Sequence, residues 1–256
     1  KQHPLKITLI TGASLGNDLD KQLTEAGVLA RRLPFQVDNT LRKAINNGEV
    51  MFIDQHLSET VEQMRNLQLK KPDVAIIEAI AITEDGGIIP TTSVGNSASF
   101  AIFAEKVIVE INTNLSPAFE GLHDIYIPSY RPTRQAIPLT QVDERIGTHA
   151  INIDPAKIVG IVINNEYHDS PSTVTEPDDE TQGIANHLIN FFEQEVAAGR
   201  LPKDLGPLQA GIGSIANAVL TGLKDSNFED LVMYSEVLQD CTFELIDAGK
   251  MKFASG

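Results

Sequence analysis

The stretch that decides the fold is VAIIEAIAI, residues 74–82, which directly follows Pro72-Asp73. It is apolar along both of its alternating faces, and a strand of that kind is typical of the centre of a parallel sheet. Residues 84–87 (EDGG) supply a turn after it, and residues 106–111 (KVIVEI) predict a further strand. The sequence around this run therefore predicts an α/β fold.

Outward from this run, the periodicity alternates between strand and helix. Further strands are predicted at residues 7–11, 50–53, 158–163 and 231–234. Helices are predicted at residues 18–32, 39–48, 58–67, 180–198, 214–223 and 238–248. Prolines interrupt residues 117–154, where we expect irregular structure. A boundary is expected near Pro202, which divides the chain into an N-terminal domain of residues 1–200 and the start of a catalytic domain at residues 201–256.

Composition and charge exclude several classes of protein. Among 256 residues there are 20 Lys+Arg and 35 Asp+Glu, a net charge of −15 that disfavours nucleic acid as a partner. No apolar run approaches the ~18 residues of a membrane span, and we expect no membrane association. Cys241 is the single cysteine, which predicts a reducing compartment: the cytoplasm or, in a eukaryote, the mitochondrion. The six histidines lack metal-binding spacing, so no metal site is predicted.

Residues 11–16 (TGASLG) form a glycine turn between a predicted strand and helix. It is interpreted as a tight βα turn, as a turn that contacts substrate through Ser14, or as a dinucleotide-binding turn. Against the last interpretation, Asp18 stands where the third glycine would be, and no Tyr-x-x-x-Lys follows.

A second glycine turn, GIG at residues 211–213, opens a predicted helix. Its glycines allow close approach of a ligand, and exposed N–H groups at such a turn hold an oxyanion. Residues 233–240 (MYSEVLQD) place Glu236 just past a predicted strand, where open α/β sheets place their sites. Glu236 is interpreted either as a catalytic carboxylate or as a solvated residue at the strand end.

Several long motifs, in one order along the chain, resemble the acetyl-CoA hydrolase/CoA-transferase family, which includes CoA-transferases acting on succinyl-CoA and acetate. The motifs cover essentially the whole chain. They are NNGEVMFIDQHLS (46–58), TEDGGIIPTTSVGNSASF (83–100), YIPSYRPTRQ (126–135), GIGSIANAVLTGL (211–223), MYSEVLQD (233–240), LIDAGK (245–250) and FASG (253–256).

The resemblance implies a class I CoA-transferase-like α/β fold, an open parallel or mixed sheet layered with helices, with an incomplete second domain. It implies that Glu236 is the nucleophile and that the Ile212 N–H stabilises the oxyanion. CoA is a substrate, and no cofactor is permanently bound. The other residues expected to contact CoA or substrate are Gly211, Gly213, Ser214 and Asn217, with Ser14, Arg131 and Arg134 as weaker candidates. Arg131 or Arg134 would replace an arginine that family members carry in the loop at residues 166–178.

The expected function is therefore CoA transfer between acetyl-CoA or succinyl-CoA and a carboxylate, through a glutamyl-CoA thioester. Hydrolysis of acetyl-CoA by the same glutamate is the near alternative, and a non-catalytic fragment that binds CoA or a partner is the third. Family members continue beyond FASG with a second half. We therefore expect residues 1–256 alone to lack turnover and tight CoA binding, and the full-length enzyme to be a homodimer.

Overall fold

The computed structural model describes residues 5–13, 18–165 and 177–256 and divides the chain into two units. The first comprises Lys1–Ile137 and Ile146–Ser172, and the second Pro138–Arg145 and Thr173–Gly256. This division differs from the domain boundary predicted at residue 200. The reason is the long helix before that position, which packs into the core of the second unit.

The first unit begins with a parallel sheet in the order β1-β2-β3, with helices between its strands. Its elements are β1 (Ile7–Ile10), α1 (Asp18–Glu25), β2 (Leu29–Leu33), α2 (Asn39–Asn46), β3 (Met51–Phe52) and α3 (Leu57–Arg65). Leu29 and Leu41 are buried between the sheet and its helices. Alternating strands and helices at these positions confirm the α/β prediction for this region.

The predicted helix over residues 18–32 is wrong in its second half. Gly27, at a φ of 68°, ends the helix, because this left-handed conformation favours glycine. The chain then forms β2, whose Leu29 and Leu33 are buried and whose Arg32 is 0% exposed. Arg32 donates from Nε to Asp20 Oδ1 at 2.7 Å and from Nη2 to Asp20 Oδ2 at 3.1 Å. A buried ion pair therefore joins α1 to the strand that sequence periodicity assigned to a helix.

Residues 74–82 form a central strand of a second sheet in the first unit, as predicted. The sheet has the order β5-β4-β6-β7, with β5 antiparallel and the others parallel. One face of the central strand is buried, whereas Ile76 on the other face is 67% exposed within the described residues. The elements are β4 (Val74–Ile82), β5 (Ile88–Pro90), α4 (Ser97–Phe103), β6 (Lys106–Asn112) and β7 (Ile158–Asn164).

The segment between β6 and β7 is irregular, as its prolines predict. Short 3-10 turns at Pro117–Phe119 and Pro155–Lys157 lie at its two ends. Isolated antiparallel bridges join Ile125 to Thr148 and Ile88 to Ile151. The segment is therefore held by local turns and single bridges rather than by a strand ladder.

The second unit contains a three-stranded parallel sheet in the order β10-β9-β8. Leu223, Leu231, Met233 and Leu245 form its buried core, against which Phe192 packs. The sequence analysis identified the central strand and the helices but neither of the flanking strands. The elements are α5 (Asp179–Ala197), β8 (Pro207–Leu208), α6 (Ser214–Lys224), β9 (Leu231–Tyr234), α7 (Asp240–Asp247) and β10 (Met251–Ser255).

Candidate active site

The glycine turn at residues 211–213 connects β8 to α6 at the carboxyl end of the sheet of the second unit. Gly213 has a φ of 141° and a ψ of 171°, a conformation that is essentially restricted to glycine. It is the N-cap of α6, and no side chain caps this helix. The N–H groups of the first turn of α6 are therefore left without a side-chain acceptor.

Ile212 lies at the centre of this turn and presents its main chain rather than a reactive side chain. Its side chain is 50% exposed. Within the described ranges, no acceptor receives a hydrogen bond from the Ile212 N–H. A free main-chain donor beside a helix N-terminus is suited to stabilising an oxyanion.

Glu236 lies two residues beyond the end of β9, the central strand of the same sheet. Its side chain is exposed, and no residue in the part of the chain that the structure describes pairs with its carboxylate. The carboxyl end of a parallel strand is the usual position for reactive groups in open α/β folds. The carboxylate is thus available to a ligand at the sheet edge.

Side chains on both sides of Glu236 connect its loop to the glycine turn. The buried Ser235 donates from Oγ to Ala210 O at 3.0 Å and accepts from Ala210 N at 3.4 Å. Gln239 donates from Nε2 to Gly211 O at 3.0 Å. The proposed nucleophile and the proposed oxyanion donor therefore belong to two loops that are hydrogen-bonded to each other. The sequence analysis did not single out Ser235 or Gln239 for this role, because their partners are far away in the sequence.

An apolar groove of about 570 Å³ lies along the glycine turn, between α5 and α6. Leu188 and Phe192 of α5 form one wall, and Ile215 and Val219 of α6 form the other. Such a groove beside polar main-chain groups is typical of small-molecule sites. It lies entirely within the second unit.

The other predicted site residues fall into three groups. Ser214 begins α6, and the N–H of Asn217 bonds to Gly213 O at 3.0 Å, so both lie close to the turn. Arg131 and Arg134 belong to the first unit, where their guanidinium groups lie 3.7 Å and 3.3 Å from the Glu62 carboxylate. Ser14 and most of the loop at residues 166–178 lie outside the described residues.

The described residues show neither a metal-binding cluster nor a membrane-spanning helix. No group of three or more His, Cys, Asp or Glu side chains there is arranged to hold a metal ion. No helix in the same ranges combines the length and apolarity needed to cross a membrane.

A solved structure shares the fold of this chain. The chain superimposes on 4-hydroxybutyrate CoA-transferase from Porphyromonas gingivalis with a TM-score of 0.57 at 20% sequence identity. The match covers 97% of this chain and 54% of that one. The fold is therefore an α/β fold of the CoA-transferase type.

Sequence comparison gives the family. The acetyl-CoA hydrolase/transferase N-terminal domain matches residues 1–163. Succinyl-CoA:acetate CoA-transferase of Clostridium kluyveri is 44% identical over 255 residues, which cover 100% of this chain and 47% of that protein. Acetyl-CoA hydrolase of Schizosaccharomyces pombe is 45% identical over 260 residues, with coverages of 99% and 50%. The chain belongs to the acetyl-CoA hydrolase/transferase family and spans about half the length of these relatives.

Proposed function

We propose that Glu236 is the nucleophile of a CoA-transferase that exchanges CoA between a short-chain acyl-CoA and a carboxylate. The observation that carries the proposal is the pairing of an exposed, unpartnered carboxylate with a glycine turn whose central N–H is free. Membership of the acetyl-CoA hydrolase/transferase family supports it. Acetyl-CoA and succinyl-CoA are the proposed donors, in line with the name of the Clostridium kluyveri relative.

The reaction begins when a Glu236 carboxylate oxygen attacks the thioester carbonyl of the acyl-CoA. The C–S bond breaks, CoA leaves as the thiolate, and a mixed acyl-glutamyl anhydride remains. The thiolate then attacks the glutamyl carbonyl of the anhydride, which forms the glutamyl-CoA thioester and releases the acyl group as a carboxylate. An acceptor carboxylate reverses both steps and leaves as the new acyl-CoA. A carboxylate needs no general base for this attack, because it carries no proton that must be removed.

Each of these steps passes through a tetrahedral oxyanion. The Ile212 N–H is the proposed donor to it, with the first-turn N–H groups of α6 adding to the local positive potential. The apolar groove beside the turn is the proposed site for the apolar part of the acyl-CoA. The proposed assembly is a homodimer of the full-length enzyme, located in the cytoplasm or, in a eukaryote, the mitochondrion.

Hydrolysis of acetyl-CoA is the second candidate function. It is favoured by the name of the Schizosaccharomyces pombe relative and by the exposure of Glu236 and Ile212 to solvent. The same anhydride or glutamyl thioester is discharged when water attacks in place of a carboxylate. The two functions therefore share one nucleophile and differ in the acceptor.

A trapping experiment tests the nucleophile, and an acceptor panel separates the two functions. The full-length protein is incubated with acetyl-CoA, reduced with borohydride and digested. The reduced residue is expected in the peptide containing residues 233–239, and a label on Ser214, Ser235 or Cys241 would contradict the proposal. Release of CoA is then measured with acetate, succinate and longer carboxylates, and with water alone. Turnover that is independent of any carboxylate would assign the protein as a hydrolase.

A further inference from the structure

We propose that Gln239 is a positioning residue that fixes the direction of the Ile212 N–H. The inference rests on the proposed function, since it concerns the donor to the oxyanion. Gln239 Nε2 lies 3.0 Å from Gly211 O, the carbonyl that belongs to the same peptide group as the Ile212 N–H. A hydrogen bond to one end of a planar peptide group restricts the other end as well.

The geometry of the peptide group makes this restriction directional. The cis peptide bonds of the described residues are Leu33–Pro34 and Arg131–Pro132, so the Gly211–Ile212 bond is trans. In a trans peptide the C=O and N–H bonds point in opposite directions. With Gln239 on the carbonyl side, the Ile212 N–H points away from Gln239. Gly211 has no side chain to hold this peptide, and an unsupported glycine turn has many conformations available.

The surroundings of Gln239 favour this role over helix capping. Gln239 is the N-cap residue of α7, but its side chain makes no capping bond to that helix. It is 8% exposed, and its Oε1 is buried without a hydrogen-bond partner. The amide orientation is set by Gly211 O, which only accepts and therefore faces the NH₂ group. A buried acceptor without a partner, such as this Oε1, lowers stability. Because the bond to Gly211 O is kept despite that loss, it indicates a functional rather than a structural constraint on Gln239.

The same side chain couples the donor to the nucleophile. Gln239 lies three residues after Glu236, and Ser235 directly before Glu236 bonds to Ala210 in the opposing turn. The loop that carries the carboxylate is therefore attached at both of its ends to the turn that carries the N–H. Oxyanion stabilisation requires a donor held in advance at the right place, so this coupling bears directly on the rate of the chemical step.

Gln239→Met in the full-length protein tests the inference, because methionine keeps the volume but cannot donate to Gly211 O. We expect kcat for CoA transfer to fall about 10- to 100-fold, since loss of an oxyanion donor itself costs about 100- to 1000-fold. KM for the acyl-CoA should change less than about threefold, and the denaturation midpoint should be unchanged or higher. Gln182→Met is the matched control, because it is the same exchange in the same unit, and Gln182 Nε2 donates to Asn186 Oδ1 within α5, outside the lining of the groove. It should leave kcat unchanged.

Gln239→Glu supplies a second measurement, the pH dependence of kcat, which would not change if Gln239 had only a structural role. The introduced carboxylate cannot donate to Gly211 O, but its protonated form can. The ratio of variant to wild-type kcat should therefore rise as the pH falls, and taking the ratio removes the pH effects that the two proteins share. A flat ratio would overturn the inference, and this variant decides alone if Gln239→Met does not fold.

The remaining outcomes separate the inference from the proposed function. If Glu236→Ala retains transfer, the proposed function fails, and the inference fails with it. If Glu236→Ala abolishes transfer while Gln239→Met keeps the wild-type kcat, only the inference is overturned. A fall in kcat matched by a fall in the denaturation midpoint would also overturn it, because it would assign Gln239 a structural role.

Discussion

Each of the two three-stranded parallel sheets has a charged residue at or just beyond the end of its central strand, and these two residues differ in burial and pairing. In the first unit, Arg32 lies near the end of β2, is 0% exposed and is paired with Asp20 of α1. In the second unit, Glu236 follows β9, is exposed and has no partner among the described residues. We call the carboxyl end of the first sheet the closed edge, because its charge is buried and paired, and that of the second sheet the open edge, because its charge is exposed and unpaired among the described residues.

The difference shows what each sheet edge contributes to the protein. Arg32 also donates from Nη1 to Leu33 O at 2.7 Å, so all three of its guanidinium nitrogens donate to groups of the protein. Glu236 contributes nothing comparable to folding, and its carboxylate stays available for bond formation. Breaking a buried ion pair is strongly destabilising, whereas an exposed charge contributes little to stability. Substitutions at the two positions should therefore change different quantities.

The largest expected effect is on activity. Glu236→Ala in the full-length protein should lower transfer by at least about 10⁴-fold, because no other group can form the covalent intermediate. The free energy of unfolding should change by less than about 0.5 kcal/mol, because the side chain is exposed. Steady-state kinetics and urea denaturation measure the two effects. The control is Glu193→Gln, an exposed carboxylate on α5 of the same unit, and loss of activity there would undermine the comparison.

The next effect is on stability, in the first unit. Asp20→Ala leaves Arg32 buried without its counter-charge, which should lower the free energy of unfolding by about 3–5 kcal/mol. Urea denaturation followed by circular dichroism measures this loss. The control is Asp73→Ala, which breaks the exposed pair with Lys70 and should not move the midpoint. A loss below about 1 kcal/mol for Asp20→Ala would mean that the buried pair does not close the first sheet edge.

A pair of glycine substitutions sharpens the comparison at the open edge. Gly213→Ala forces a side chain into a glycine-only conformation and should cost about 1–3 kcal/mol. Its new Cβ would meet no atom within 4 Å, so the cost is conformational rather than steric. Gly211→Ala is the matched control, because it also has free space and its φ is not positive. Equal losses in urea denaturation would show that the turn is not held in this conformation.

The smallest effect concerns Cys241, which lies in α7 behind the open edge. Burial raises the pKa of this thiol above its ordinary value. A pKa raised by folding stabilises the protein at low pH, and this contribution is lost as the pH rises above roughly 8.5, the ordinary thiol value. The free energy of unfolding should therefore fall as the pH rises above that value. Cys241→Ala should lack this pH-dependent part of the stability, which urea denaturation at a series of pH values measures. Rapid reaction of the native thiol with a disulfide reagent at pH 7 would contradict the raised pKa.

The sequence predicted the parts of the fold that depend on local periodicity. Residues 74–82 and 231–234 are strands, and residues 214–223 lie within a helix, as their apolar spacing predicts. The error at residues 29–32 has the same origin, since Leu29 continues the helical spacing of α1. Gly27 ends the helix, and a tertiary contact, the burial of Arg32 against Asp20, accompanies the strand that follows.

The contacts within the candidate site could not be predicted from the sequence, for a different reason. Glu236 and the glycine turn were identified from their motifs, and the structure places both at the carboxyl edge of one sheet. The bonds that join them span 25 residues, from Ser235 to Ala210, and 28 residues, from Gln239 to Gly211. β8 is two residues long, too short for a periodic signal, yet its pairing with β9 sets this juxtaposition.

The proposed oxyanion donor is a main-chain amide, and this has a consequence for how the site can evolve. Every residue type except proline carries that N–H, so position 212 is free to drift among side chains while the reaction continues. The constraint falls instead on Gly213, whose conformation excludes most substitutions. Conservation among relatives should therefore be strong at position 213 and weak at position 212, which carries the donor. An invariant residue at position 212 would indicate that its side chain also has a function.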